Sequence, residues 1–216
     1  MYSLAIFDLD GTLLNTIVDL ANACNYALRT CELPEHPVNT YKTFVGDGVY
    51  KLIERMLPDN KRDDLFVQNV KTIFDTYYAQ HSLDHTKPYE GIVSLLTRLQ
   101  SLGIRCAVAS NKPHEYTKEL VQLMFENKIE LAFGQRAGIP TKPDPTIVLE
   151  ILEYFHVSPK ECIYVGDSGV DMYTAQNAGI TSVGVLWGFR TREELLGAGA
   201  HFVVNDTESL EQLIIG

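Results

Sequence analysis

No stretch of this chain stays apolar over the ~20 residues that crossing a bilayer takes, so a membrane-spanning helix is excluded on length alone. The first residues carry neither a basic region nor a long apolar segment. No secretory signal is expected, and a cytoplasmic location is. Basic residues are scarce: 18 Lys and Arg stand against 28 Asp and Glu, a formal net charge of −10. A surface of that sign repels nucleic acid and anionic membrane, and neither is expected as a partner. It repels small anions as well. Any phosphate site must therefore gather positive charge locally, from a metal, a lysine or helix N-termini. Cysteine is sparse and scattered (Cys24, Cys31, Cys106, Cys162), with no Cys-x-x-Cys. That spacing points to small buried thiols in a reducing compartment rather than to a disulfide framework or a zinc site. His81 and His85 share a helical i, i+4 spacing, but no acid or cysteine supports a metal there, so they read as surface residues. Internal repeats and low-complexity tracts are missing too.

What is present is ordinary globular sequence: 216 residues, 45% hydrophobic and 21% charged. That length suffices for one sizeable domain, or for a domain with an insert. Leu4-Ala5-Ile6-Phe7 reads as a buried strand, too short for a helix and stopped by Asp8 and Gly11. Helical periodicity follows at once. Ile17, Leu20, Ala21, Cys24, Ala27, Leu28 and Cys31 line one face, with Asn15 or Thr16 as candidate caps. A glycine-bearing turn at 43–48, a short helix and a long helix over about 63–80 complete a block with no strand signal. From Pro88 the pattern alternates. Strands are predicted at 104–109, 132–137, 162–165, 181–186 and 201–204, each separated by a helix. Alternation of this kind predicts parallel βαβ units with right-handed crossovers. The predicted fold is α/β, a Rossmann-like parallel sheet with helices on both faces plus an inserted α-helical domain. The core comprises 1–15 and 86–216 and the insert 16–85, with hinges near 15–17 and 87–91.

Polar punctuation ends three of the predicted strands: Asp8-Leu9-Asp10-Gly11-Thr12, Ser110-Asn111 and Gly166-Asp167-Ser168 with Asp171. Lys142-Pro143 precedes a helix start. In an open parallel sheet ligands bind at the carboxyl ends of the strands, so these groups are expected to converge. Asp8 and Asp10 repel each other when both are ionised, and a hard cation such as magnesium, held by carboxylates and substrate phosphate oxygens, compensates most simply. The rest of the kit, a hydroxyl, a lysine and free helix-terminal amides, suits phosphate oxygens. Phosphoryl transfer mainly needs such positioning and charge neutralisation. The competing reading of Asp8–Thr12 alone is a turn, and of Asp171 a first-turn helix acid. Lys112 competes with Lys142 for the phosphate, and Lys142 is preferred for its place at a helix start. Trp187 and Phe189 read as packing rather than as substrate platforms.

Taken in order, Asp8-Leu9-Asp10-Gly11-Thr12-Leu13, Ser110-Asn111, Lys142-Pro143 and Gly166-Asp167-Ser168 with Asp171 resemble the four motifs of the haloacid dehalogenase superfamily of magnesium-dependent phosphatases. The helical insert resembles that superfamily's α-helical cap. Within the superfamily the chain looks most like phosphoglycolate phosphatases, through Phe44-Val45-Gly46-Asp47-Gly48 and Val185-Leu186-Trp187-Gly188-Phe189-Arg190. The resemblance implies roles. Asp8 is the nucleophile that becomes an aspartyl-phosphate, and Asp10 is the general acid and then base. Asp8, the Asp10 main-chain carbonyl and Asp167 hold Mg2+. Thr12, Ser110, Asn111 and Lys142 bind the phosphate, and Asp171 orders Lys142 or a metal-bound water. Asn15 and Gly169-Val170 depart from the usual pattern, at a helix cap and beside the metal loop.

The implied function is hydrolysis of a small phosphorylated metabolite, phosphoglycolate first, by a monomer or homodimer. A mutase of the β-phosphoglucomutase kind, a pyrophosphatase and a non-catalytic phosphometabolite-binding module remain open beside it. Metal-free dehalogenation is disfavoured, because it has no use for Asp10.

Overall fold

The computed structural model describes residues 2–216. In chain order its elements are β1 (Leu4–Phe7), β2 (Leu14–Asn15), α1 (Ile17–Thr30), α2 (Tyr41–Phe44), α3 (Val49–Met56), α4 (Asp64–His81) and β3 (Lys87–Pro88). They continue with α5 (Ile92–Ser101), β4 (Arg105–Pro113), α6 (His114–Phe125), β5 (Leu131–Gln135), α7 (Thr146–Phe155) and β6 (Cys162–Gly166). The last are α8 (Gly169–Asn177), β7 (Thr181–Val185), α9 (Arg192–Gly197), β8 (Phe202–Val204) and α10 (Thr207–Ile215). The chain divides into two compact units, 1–14 with 88–216 and 15–87, crossing outward at β2 and back at β3.

In the larger unit six strands form one sheet in the order β5-β4-β1-β6-β7-β8, and every pairing is parallel. β1 is central, and all four of its side chains are buried. They alternate between two cores. Ala5 and Phe7 pack with Leu95, Leu96, Leu99 and Leu210 from α5 and α10, while Leu4 and Ile6 pack with Val148, Ile151 and Ala175 from α7 and α8. A strand buried on both faces reads as an unbroken apolar run, which is why 4–7 shows no alternation. This is the expected α/β sheet with helices on both faces.

The longest departure from the predicted strands is at β4. β4 does not stop at Ala109 but runs on through Ser110, Asn111 and Lys112 to Pro113, with a register shift against β5 between Ala109 and Pro113. The polar residues past the predicted strand end are an irregular, buried extension of the strand. Such irregularities re-aim side chains at a sheet's rim.

The smaller unit is helical, as its sequence periodicity indicates. α1 and α4 are its long helices, and Val67, Val70, Phe74 and Tyr78 form the buried stripe of α4. Asp63 caps α4 by accepting from the Phe66 amide at 3.0 Å. At the start of α1 the predicted side-chain cap is not made: Thr16 occupies the cap position, but its hydroxyl bonds no helix amide. The polar work there falls to buried Asp19. Its carboxylate accepts from the His85 and Thr86 amides at 3.0 and 2.8 Å and from the Thr86 hydroxyl at 2.8 Å, tying the first turn of α1 to the segment that follows α4. Cys24, Cys106 and Cys162 are buried and all four cysteines are free. Among the described residues no helix is long and apolar enough to cross a membrane.

Candidate active site

The carboxyl ends of β1, β4 and β6 lie side by side, so the segments leaving them share one rim. Asp8 follows β1 directly, and its amide bonds the Val165 carbonyl of β6 at 2.9 Å. The chain then folds tightly: the amides of Leu13 and Leu14 return to the Leu9 carbonyl, and Gly11 adopts φ +87°. A side chain at Gly11 would also strike the carboxylate of Asp167. Glycine is needed there both for backbone freedom and for the close approach.

Three buried carboxylates, Asp8, Asp167 and Asp171, bring oxygens within 4.8 Å of one another. Into this group reaches the ammonium of Lys142, itself only 3% exposed. It contacts Asp171 Oδ1 at 2.7 Å, Asp8 Oδ1 at 2.8 Å, and the Ala109 carbonyl and Tyr164 hydroxyl at 3.0 Å each. The other oxygen of Asp171 accepts from the Ser168 amide and hydroxyl in a capping box that opens α8. Asp171 thus joins the capping box with one oxygen and contacts Lys142 with the other. Asp167 accepts from the Phe189 amide at 2.7 Å and from the Thr12 hydroxyl at 3.3 Å.

Burial dominates the electrostatics. It raises Asp8 to about 6, with repulsion from Asp171 and Asp10 in the same direction and Lys142 opposing. Burial also pushes Asp167 well above the usual carboxylate range, helped by Asp171 and Asp8, against the Phe189 amide and Arg190. Lys142 would lose its proton more easily through burial, but the Asp171 and Asp8 carboxylates outweigh that and hold it well above its ordinary value.

The lysine that precedes the helix, Lys142, is in the carboxylate cluster; Lys112 is not idle either. Its ammonium, also buried, lies 3.2 Å from Asp10 Oδ1. Sequence reasoning treated Lys112 only as a competitor for phosphate and missed this pairing. Continuation of β4 through 110–112 was the missing signal, since it turns Lys112 inward. Asn111, expected to face phosphate, also braces the Lys142 backbone. Oδ1 accepts from the Lys142 amide at 2.8 Å, and Nδ2 donates to the Lys142 carbonyl at 3.1 Å. Ser110 Oγ accepts from the Lys112 amide at 3.3 Å. Tyr164 was overlooked altogether, because within an apolar strand it reads as core. Trp187 packs on the main core and donates to the Thr12 carbonyl at 2.9 Å, in keeping with a packing role.

Residues 5–185 match the family model described as haloacid dehalogenase-like hydrolase. A phosphoglycolate phosphatase from Aquifex aeolicus is 32% identical over 185 residues, covering 85% of this chain and 84% of that protein. One from Thiobacillus denitrificans is 32% identical over 189 residues, covering 85% and 83%. Among solved structures, a chain from Lactobacillus delbrueckii subsp. bulgaricus, provisionally named phosphoglycolate phosphatase, superposes with a TM-score of 0.94 at 34% identity, covering 99% of this chain and 98% of its own. The match spans the three polar strand ends, Lys142 and the helical segment between the first two strand ends, and on that basis this chain belongs to the haloacid dehalogenase-like hydrolases.

Proposed function

We propose that the protein is a magnesium-dependent phosphatase that hydrolyses a small phosphorylated metabolite through an aspartyl-phosphate on Asp8, with phosphoglycolate the first candidate. The observation that carries the reading is the buried set at the rim: Asp8 paired with Lys142 at 2.8 Å, beside Asp167 and Asp171 and apart from an Asp10 held by Lys112. Relatives at 32% identity that are named phosphoglycolate phosphatases support the choice of substrate.

A divalent cation fits the residues present. The donors are all oxygens, most of them from carboxylates, which suit a hard cation. Three buried carboxylates face the Lys142 ammonium; burial chiefly, and their mutual repulsion besides, press Asp8 and Asp167 upward, and a cation would offset both. Asp8, Asp167 and the Asp10 main-chain carbonyl would hold Mg2+, which supplies charge neutralisation between nucleophile and phosphate dianion.

The chain's own residues account for the two transfers. An Asp8 oxygen bonds to phosphorus as the bond to the ester oxygen breaks, and Asp10 gives that departing oxygen its proton. A water oxygen then bonds to phosphorus, its proton goes to Asp10, and the Asp8–phosphorus bond breaks. Products are the alcohol and inorganic phosphate, with both carboxyls restored. Lys142 balances the charge on the phosphoryl group, the hydroxyls of Thr12, in the turn after β1, and of Ser110, on β4, bind its oxygens, and Asn111 fixes the Lys142 backbone. We assign residues 16–85 as the superfamily's α-helical cap and expect a cytoplasmic monomer or homodimer.

The test is turnover of a panel of phosphorylated metabolites, phosphoglycolate among them, with magnesium and with a chelator. Asp8→Asn should lower kcat by about a thousandfold or more at unchanged fold. Magnesium-dependent turnover that survives Asp8→Asn would refute the mechanism.

A further inference from the structure

The coordination of Lys142 holds one oxygen more than it needs. An ammonium has three protons and no acceptor capacity. Four oxygens nevertheless lie within 3.0 Å of Nζ: Asp171 Oδ1, Asp8 Oδ1, the Ala109 carbonyl and the Tyr164 hydroxyl. Tyr164 is fully buried on β6 and has its own proton placed, since its hydroxyl donates toward the Ala109 carbonyl at 3.1 Å or Asp171 Oδ1 at 3.3 Å. A lone pair therefore remains for Lys142. Nothing in the proposed acid, base, nucleophile or metal set uses this hydroxyl.

Resting on the phosphatase reading above, we infer that Tyr164 is a positioning residue, whose hydroxyl makes the contact between Lys142 and Asp8 dispensable and so releases Asp8 to attack phosphorus. With Asp8 set aside, Asp171, Ala109 and Tyr164 supply three oxygens for three N–H groups. Lys142 can let go of Asp8 and keep every hydrogen bond, while its place at the rim is unchanged. Without the Tyr164 oxygen only Asp171 and Ala109 remain, and the third N–H is committed to Asp8. Attack through that Oδ1 then has to break a charge-assisted bond inside a buried site, where such bonds are strong. Substrate binding precedes that event and is untouched by it. The penalty therefore falls on the transfer step alone.

Tyr164→Phe removes one oxygen at nearly constant shape. With phosphoglycolate or an aryl phosphate and saturating Mg2+, kcat should fall ~10-fold, with KM changed less than twofold, the pattern of an interaction that acts after binding. Acid-quenched turnover of 32P-labelled substrate should show a smaller steady-state fraction of phosphorylated Asp8 than in the wild type, because formation slows and hydrolysis does not. A merely structural role predicts loss of folded protein, or kcat and KM moving together. An unchanged kcat, or a rise in KM at constant kcat, overturns the inference while leaving the phosphatase reading intact. A wild type without phosphatase activity overturns both. Where Tyr164→Phe does not fold, 3-fluorotyrosine at position 164 weakens the same oxygen as an acceptor without removing it. A smaller drop in kcat at constant KM then supports the inference, and an unchanged kcat overturns it.

Discussion

Lys142 is carried by a segment with no helix or strand of its own, between β5 and α7, so individual side chains must hold it. Asn111 does this through the backbone, matching the Lys142 amide and carbonyl with one acceptor and one donor. Removing that side chain leaves two buried backbone groups without their partner. An unsatisfied buried polar group costs about 1–3 kcal/mol. Asn111→Ala is therefore expected to lower unfolding free energy in urea by about 2–4 kcal/mol in total, and to reduce kcat with little change in the far-UV spectrum. Retention of full activity in Asn111→Ala would show that the Lys142 backbone is held by other means. At this scale the residue types were readable from the sequence, but their partners were not. Asn111 and Lys142 are 31 positions apart, and only folding shows that the Asn111 side chain braces the Lys142 peptide.

Where α6 begins, its first residue reaches across to the edge strand β5: the Gly134 amide donates to His114 Nδ1 at 3.2 Å. That bond needs an unprotonated Nδ1. Burial lowers the His114 pKa below 6.5, with Lys118 and Arg136 pressing the same way and Glu115 opposing. A histidine with a depressed pKa contributes stability that is fully present above its unfolded value and is lost as pH falls through its folded value. Urea midpoints should therefore decline as pH drops below about 6.5, and the decline should be shallower in His114→Asn than in the wild type. Equal slopes would place the effect elsewhere. The extension of β4 belongs to the same scale. The predicted strand stops at Ala109, but pairing with β5 beyond a register shift keeps the chain in the sheet to Pro113, an instance of tertiary context overriding a local signal.

For the molecule as a whole, charge is the governing fact. A chain with a net charge of −10 concentrates three buried carboxylates at one rim of its sheet. A ligand that binds only the folded state stabilises it by RT ln(1 + [L]/Kd), about 2.7 kcal/mol at one hundred times Kd. Magnesium titrated into the protein should raise Tm, calcium should do so less well for lack of the smaller ion's octahedral fit, and Asp167→Asn should abolish most of the magnesium shift. An identical Tm across the magnesium series would mean that the acidic group is neutralised without a cation.

The order of apolar runs and helical stripes sufficed to specify a parallel α/β sheet interrupted by a helical segment, because burial on one or two faces leaves a periodicity that any reader of the chain can count. The same holds for the polar strand ends: a parallel sheet brings them to one rim whatever the details. Tertiary structure alone decided how those groups are shared out, with Lys142 drawn among Asp8, Asp171 and Tyr164, Lys112 given to Asp10, and Asn111 turned to the backbone. The physical reason is that hydrogen bonds and ion pairs are set by distances of a few ångströms between residues tens to hundreds of positions apart, a separation that spacing along the chain does not encode.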